Sequence, residues 1–305
     1  GWTSIMIYDA MLALQELAPL SPMIWTIAIG ALVILWLFIG LHNTGYIQAI
    51  VSVLLLGLTL YMGVHMISQW PSDSSFMTNG NMSFIAALEL SIAMPLSWLP
   101  LISDYTRESK KPFSASLTSA TIYTVTSIVM YTLGLSAAIF GGGDSIITIL
   151  MNAGLGLAGL LVIIFSTVTT TFMDAYSAGV SSTTIYNSAS SKGIAVIVTI
   201  VGTIAAILYP MDDITDFLYL IGSVFAPMIA ILLADYFINR QQVQTLSAYL
   251  VRGLIWAVSV GLYHYMLHSE STIGATLPTF TMAFVVTAII GFISKTAHTS
   301  AEIKQ

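Results

Sequence analysis

The long stretches without a charged side chain constrain this sequence most strongly. No Asp, Glu, Lys or Arg occurs between Glu16 and Asp73, and none occurs in residues 112–143, 145–173 or 271–294. A helix needs about 20 apolar residues to cross the hydrocarbon core of a bilayer, and every one of these runs is long enough. Only 7% of the 305 residues are charged, whereas about 25% are charged in an ordinary soluble domain. This composition excludes a soluble enzyme, a disordered chain and a nucleic-acid-binding protein.

The chain is predicted to be an all-α polytopic membrane protein, because the apolar runs show no strand-like alternation. Without cysteine it has no disulfide, thiolate nucleophile or cysteine–metal site. Residues 1–305 are expected to form one transmembrane domain without a signal peptide. About ten spans can be drawn, near residues 1–17, 22–41, 46–68, 82–101, 115–140, 155–179, 194–209, 214–237, 251–267 and 276–294.

The distribution of charge between the spans predicts the orientation. With ten spans, all eight basic residues fall on one side of the membrane: Arg107, Lys110, Lys111, Lys192, Arg240, Arg252, Lys295 and Lys304. The opposite side carries only acidic residues: Glu16, Asp73, Asp144, Asp212, Asp213 and Glu270. By the positive-inside rule the basic side is cytoplasmic, which places both ends of this chain in the cytoplasm.

Three ionisable residues within predicted spans, Asp9, Glu89 and Asp174, are candidates for function. A carboxylate at membrane depth costs at least about 2.5 kcal/mol on insertion scales, so each one requires a physical reason. A substrate or ion contact is one reason. A hydrogen bond between packed helices, or a position at a helix end, is the alternative.

Two polar helices are candidate binding elements. Pro95 and Pro100 each remove a backbone donor, which predicts an interrupted helix beside Ser97 and Trp98; a simple proline kink is the alternative. Farther along, a second helix carries an oxygen-rich stripe of a kind that suits a hard cation or a polar solute. At 100° per residue this stripe contains Thr167, Thr170, Thr171 and Asp174, although hydroxyls can also bond to their own helix.

Several aromatic and histidine residues lie near the ends of predicted spans. Trp2 and Tyr8 suit either an anchor at the membrane interface or, for Trp2, a flat face for a planar ligand. His264 and His268 are four residues apart near a helix end, and a metal site there is not expected.

Three segments resemble the nucleobase:cation symporter-1 family. The run from Pro95 to Arg107 is similar to its sixth helix, the run from Ser166 to Gly179 to its eighth helix, and Gly1-Trp2 to the start of its third helix. The details are most similar to the hydroxymethylpyrimidine transporter branch, the CytX type. The resemblance implies a LeuT-like inverted-repeat fold in which the ten spans are family helices three to twelve. The first two family helices, with about half of the sodium site, are then expected to be absent from this chain.

The resemblance also implies a set of site residues. Trp2 falls on the aromatic residue that stacks against a planar base, Ser97 lies near the substrate, and Met6 replaces a glutamine of some relatives. Ser166 and Thr167 fall on the hydroxyl pair that binds sodium, with the Ile163 carbonyl one turn earlier. Two further departures, Pro95 and Phe172, stand where relatives carry an aromatic residue and an asparagine. Trp98, Thr170, Thr171, Asp174 and Glu89 are therefore further candidates for contacts with the solute.

The function implied is secondary transport of a nucleobase-like heteroaromatic solute, such as the thiamine precursor hydroxymethylpyrimidine, by alternating access. No cofactor is expected apart from a co-transported cation, either sodium or a proton. The expected partners are this small solute and the lipid bilayer, with no nucleic acid and no obligate protein partner.

Three alternatives stay open at this point. One is a LeuT-like carrier of amino acids or amines, and another is a channel, although no filter-like loop repeat is present. The third is an intramembrane aspartyl protease, because Tyr8-Asp9 and Gly141-Gly142-Gly143-Asp144 superficially match its paired motifs. A protease needs two carboxylates at one depth, whereas Asp144 is predicted to lie in a loop.

Overall fold

The structure is a computed structural model, and its described part contains ten α-helices and one π-helical turn. It describes residues 1–39, 44–68, 82–106, 109–140, 156–186, 188, 190–209, 211, 214–240, 245–269 and 273–302. The helices are α1 (Trp2–Leu17), α2 (Pro22–Ile39), α3 (Thr44–Ser68), α4 (Phe84–Thr106), α5 (Pro112–Phe140), α6 (Gly156–Ile185), α7 (Ser191–Leu208), α8 (Thr215–Leu233), α9 (Leu246–His268) and α10 (Thr276–Glu302). The π-helical turn, Ala234–Asn239, continues α8 directly.

Each of the ten predicted spans corresponds to one of these helices. Within the described residues, nine stretches are long and apolar enough to cross a membrane, whereas α1 is shorter at 16 residues. The chain is therefore a multi-pass membrane protein. The protease-like run Gly141–Asp144 lies outside the described residues. The same holds for other charged residues of the topology prediction, namely Asp73, Asp212, Asp213, Glu270, Arg107 and Lys304.

Local sequence signals explain where several helices begin. Pro22 and Pro112 are the first residues of α2 and α5, a position where an N–H would have no partner within the helix. Ser190 caps α7 by accepting a hydrogen bond from the Gly193 N–H at 3.2 Å. Thr245 caps α9 in the same way through the Ala248 N–H, at 3.4 Å. These side chains satisfy backbone donors that a helix leaves unpaired at its start.

The first compact unit contains α1, α2, α3, α5, α6 and α7, and comprises Gly1–Met77 with Thr106–Asp213. Its core is formed where α1, α2, α6 and α7 meet. The buried side chains there are Ile7, Ala10, Leu14, Ile29, Leu160 and Ala206. Small residues let these helices approach closely, as is common between membrane helices. Gly202 of α7, for example, packs against Thr3 of α1.

The second compact unit contains α4, α8, the π-helical turn, α9 and α10, and comprises Thr78–Tyr105 with Ile214–Gln305. Helices α8, α9 and α10 pack against one another around Ala230, Ile231, Ile255 and Ala283. The π-helical turn ends at Arg240, which has a left-handed backbone with φ of 51°. Neither the turn nor this backbone conformation was predicted from the sequence.

Helix α4 differs from its predicted form. The sequence predicted an interruption at Pro95 and Pro100, but both prolines lie inside one continuous helix from Phe84 to Thr106. Pro95 and Pro100 cannot donate to the carbonyls of Ser91 and Leu96, so two backbone hydrogen bonds of the helix are missing. The hydroxyls of Ser91 and Ser97 donate to other carbonyls, those of Ala87 and Met94, at 2.9 and 2.7 Å. The backbone nevertheless continues through both prolines, so the interruption that the sequence predicted is not present.

Gly179 provides a test of the contact between α6 and α7. A Cβ atom at this position would lie 2.1 Å from the carbonyl oxygen of Ser191, which is backbone and cannot move independently. We expect Gly179→Ala to lower the free energy of unfolding by about 1–3 kcal/mol, the usual cost of overpacking. Thermal unfolding in detergent measures this. Gly253→Ala in α9 is the control, because nothing lies within 4 Å of its Cβ position; equal melting temperatures for the two variants would contradict the tight contact.

Candidate functional site

The start of α1 presents Trp2 and Met6, which are four residues apart and therefore lie on one face of the helix. Both side chains are half-buried, whereas Thr3 and Ser4 are buried. The Ser4 hydroxyl donates to the carbonyl of Gly202 in α7 at 2.8 Å. This bond and the close packing of Thr3 on Gly202 fix the rotation of α1. Trp2 and Met6 are thereby held on a different, partly accessible face.

Asp174 of α6 lies close to this end of α1. Its half-buried carboxylate lies near Gly1, the residue before Trp2. The structure therefore brings together two elements that the sequence had singled out independently. Asp9 differs from Asp174 in burial, because the Asp9 side chain is exposed on α1.

The side chains of the predicted oxygen-rich stripe of α6 differ in how deeply they are buried. Ser166, Thr170 and Asp174, spaced by four residues, are all half-buried and form the partly accessible face. Thr167 is 9% exposed and Thr171 is completely buried, so they point further into the helix packing. The accessible oxygen atoms of α6 therefore belong to the face of Ser166, Thr170 and Asp174, and the neighbouring face of Thr167 and Thr171 is buried.

The predicted sodium ligands lie within two turns of α6. The side chain of Ile163 is half-buried and packs on the core of the first unit. The predicted sodium ligand at this position is its backbone carbonyl. Ser166 and Thr167 follow three and four residues later on the same side of the helix. The Ser166 carbonyl accepts a bond from the Thr169 hydroxyl at 3.0 Å, so it is the Ser166 hydroxyl that would bind an ion. Three oxygens from one helix are a partial set, because hard cations usually gather about six or more.

Ser97 and Trp98 of α4 are both half-buried. The Ser97 hydroxyl uses its proton on the Met94 carbonyl, so toward a ligand it can act only as an acceptor. This agrees with the alternative that a serine in a helix bonds to its own backbone. Trp98 adds a large aromatic surface one residue later.

Glu89 is placed differently from the other predicted contacts. It is 8% exposed, and its Oε1 atom accepts hydrogen bonds from the backbone N–H groups of Ala275 and Thr276, the latter at 2.6 Å. The carboxylate therefore caps the first turn of α10, which has no acidic residue of its own. This agrees with the alternative that an ionisable residue at membrane depth forms a hydrogen bond between packed helices.

Sequence reasoning missed a polar cluster at the π-helical turn. The Arg252 guanidinium donates two hydrogen bonds to Asp235, both at 2.9 Å. Asn239 donates to the same carboxylate at 2.8 Å and to the Thr287 carbonyl at 3.2 Å. The sequence had used Arg252 only as a topology marker. Because π-turns cannot be recognised from composition, nothing indicated that Asp235 and Asn239 would share one cluster.

A cavity of about 440 Å³ lies within the first unit, where the end of α1 meets α2 and α7. Its lining includes Tyr8, Met11, Gln15, Ser21, Thr26 and Tyr209. It is separate from the predicted site residues on α1 and α6, because Trp2, Met6 and Asp174 do not line it. In the described part of the chain, no group of three or more His, Cys, Asp or Glu side chains could hold a metal ion.

Comparison with known families identifies the chain. The family of permeases for cytosine/purines, uracil, thiamine and allantoin matches residues 17–303. This chain belongs to that permease family. It is therefore a membrane transporter and not an enzyme, which removes the protease alternative based on Tyr8-Asp9. The family match begins after Trp2 and Met6, so those two assignments rest on the resemblance of α1.

A solved structure shows the fold. The chain is similar to Mhp1, described as a nucleobase-cation-symport-1 family transporter in a closed conformation with bromovinylhydantoin bound. The TM-score is 0.75 at 17% sequence identity, over 97% of this chain and 74% of that one. The fold is accordingly the LeuT-like transporter fold that the sequence predicted. No curated protein sequence matches this chain.

Thr171 gives a test of the burial pattern on α6. Its hydroxyl is completely buried and has no hydrogen-bond partner, which is costly in a packed interior. We expect Thr171→Val to leave solute binding unchanged and to raise the free energy of unfolding by up to about 1–2 kcal/mol. The matched variant Thr170→Val, on the half-buried face, should instead weaken binding. Weaker binding in Thr171→Val alone would place the solute on the inner side of the helix.

Proposed function

We propose that this chain carries solute- and cation-binding helices of a symporter for a nucleobase-like heteroaromatic solute. Hydroxymethylpyrimidine or a related pyrimidine is the proposed solute, and sodium is the proposed co-ion. The observation that carries the proposal is the half-buried oxygen face of α6, with Asp174 beside the start of α1 that bears Trp2. Membership in the permease family supports the class of solute.

A planar solute suits Trp2 on physical grounds. An indole ring offers a flat π-face, and an offset aromatic pair contributes about 0.5–1.5 kcal/mol beyond the area that it buries. Asp174 can then accept hydrogen bonds from the amino group or a protonated ring nitrogen of an aminopyrimidine. Thr170 lies one turn before Asp174 on the same face and can fix the orientation of the ring. Ser97, Trp98 and Met6 are proposed as further contacts.

Sodium suits the Ile163, Ser166 and Thr167 group because all three supply neutral oxygen atoms. Moving one charge through a membrane potential of about 100 mV supplies about 2.3 kcal/mol. At about 1.4 kcal/mol per decade, this supports roughly 50-fold accumulation of the solute. A single co-transported cation is therefore sufficient for import by alternating access.

The proposed orientation follows from the positive-inside rule. Lys110 and Lys111 lie between α4 and α5, and Lys192 lies at the start of α7. These positions are all on one side if the ten helices alternate in direction. Both ends of this chain would then face the cytoplasm.

An amine carrier is the second candidate function. The favouring observation is that Asp174 presents a half-buried carboxylate on α6, with which a cationic nitrogen can form a charge pair. A primary amine would use this charge pair without needing an aromatic surface. Competition between pyrimidines and amines therefore distinguishes the two candidates.

Trp2→Ala tests the stacking role. We expect solute affinity to fall about 3- to 10-fold, the equivalent of the aromatic pair energy, with little change in melting temperature. Equilibrium binding of hydroxymethylpyrimidine measures the change. Trp2→Phe should keep most of the affinity. Trp25→Ala is the control, because Trp25 bonds to the Ala18 carbonyl near the other end of α1; if it matched Trp2→Ala in affinity, the stacking role would be wrong.

Ser166→Ala and Thr167→Ala test the cation site. Loss of one oxygen contact to a charged group costs about 1.5–3 kcal/mol, so the sodium concentration for half-maximal uptake should rise about tenfold or more. Uptake into liposomes at varied sodium and pH measures this. Thr121→Ala on α5 is the control, since its exposed hydroxyl bonds only to its own helix through the Leu117 carbonyl. Unchanged sodium dependence in both site variants would remove sodium from this face.

A further inference from the structure

Glu89 holds the second unit together at one end of α4. Its Oε1 atom accepts from two consecutive backbone N–H groups, those of Ala275 and Thr276, which are 186 and 187 residues away in sequence. These are among the donors that α10 leaves unpaired at its start. The carboxylate also lies at the positive end of the α10 dipole. A charge-assisted bond of this kind is about twice as strong as a neutral one.

The turn before α10 is shaped to admit this carboxylate. Gly274 has a φ of +75°, a left-handed conformation that glycine adopts without strain. A Cβ atom at Gly274 would lie 2.7 Å from Glu89 Oε1 and 3.1 Å from the Ile85 side chain. Both the backbone conformation and the missing side chain are therefore needed for Glu89 to reach the two N–H groups.

The start of α10, where Glu89 binds, also contacts α9, and α9 in turn contacts α8. The Thr276 hydroxyl donates to the Tyr263 hydroxyl at 3.4 Å, and Tyr263 is only 1% exposed. The Tyr263 hydroxyl in turn occupies the space beside Gly222 of α8, where a Cβ atom would lie 2.6 Å away. Four helices of the second unit thus meet around the Glu89 carboxylate.

The position of Glu89 along α4 links these contacts to Ser97 and Trp98, the proposed solute contacts of the same helix. Glu89 precedes Pro95 by six residues, whereas Ser97 and Trp98 follow Pro95. Pro95 cannot donate to the Ser91 carbonyl, and Pro100 cannot donate to the Leu96 carbonyl, so α4 lacks two backbone hydrogen bonds after Glu89. The cap therefore fixes the part of α4 before the prolines, from which the part after them continues.

We infer that Glu89 is a positioning residue that anchors α4 to the start of α10 and thereby places the part of α4 that follows Pro95. Glu89 does not contact the solute. It sets the fixed end from which Ser97 and Trp98 are placed, and this last step rests on the proposed function of those two residues. The anchor itself depends only on the contacts within the second unit.

Hydrogen–deuterium exchange of the protein in lipid nanodiscs tests the anchor directly. In Glu89→Ala, the amides of Ala275 and Thr276 lose their acceptor, and their exchange should become at least about tenfold faster. Ser91→Ala is the control on the same helix, because its exposed hydroxyl bonds only to the Ala87 carbonyl. Unchanged exchange in Glu89→Ala would overturn the anchor. This result does not depend on which solute is transported.

Two conservative variants separate an anchor from a solute contact. Gln keeps the length of the side chain and a carbonyl oxygen that accepts both N–H groups, whereas Asp keeps the charge but is one methylene too short. An anchor predicts that Glu89→Gln keeps protected amides and most uptake, and that Glu89→Asp loses both. Solute affinity, measured with hydroxymethylpyrimidine, should change less than about threefold in Glu89→Gln. The opposite order, or a tenfold loss of affinity in Glu89→Gln with protected amides, would overturn the inference. These two variants keep the test valid if Glu89→Ala does not fold.

Discussion

The lack of water in the hydrocarbon core controls the rest of this structure. Every polar group there must find a partner inside the protein, because an unsatisfied group costs several kcal/mol. Many hydroxyls of the described helices therefore bond to a carbonyl one turn earlier, as Thr121 and Thr132 do. The ionisable groups follow the same rule: Arg252 is paired with Asp235, and Glu89 is capped onto α10.

Against this background, the residues of the proposed solute site differ from most polar side chains in the protein. Asp174 and Thr170 are half-buried on one face of α6. Trp2 shows the same intermediate exposure at the neighbouring end of α1. Side chains of intermediate exposure are suited to contact a small solute, because they are partly sheltered from solvent and still accessible to a ligand.

The sequence predicted the features that depend on local pattern. The ten spans were confirmed because apolar runs and their punctuation, such as Pro22 and Pro112, act over a few residues. The family resemblance was confirmed at the level of the permease family and its fold, while the hydroxymethylpyrimidine branch stays a prediction. The role of Glu89 could not be predicted, since its partner Thr276 is 187 residues away. Which members of the α6 stripe are accessible could not be predicted, because periodicity fixes the spacing of a stripe and leaves its rotation to the packing of neighbouring helices.

The central claim is that an aromatic face and an oxygen-rich helix together bind a flat solute with a cation. Competition uptake into liposomes tests it most directly, with hydroxymethylpyrimidine, cytosine, hydantoins and amino acids compared at varied sodium and pH. The account predicts that a pyrimidine competes best and that its uptake requires a sodium gradient. Competition by amino acids or amines alone, or uptake that ignores every cation gradient, would contradict it.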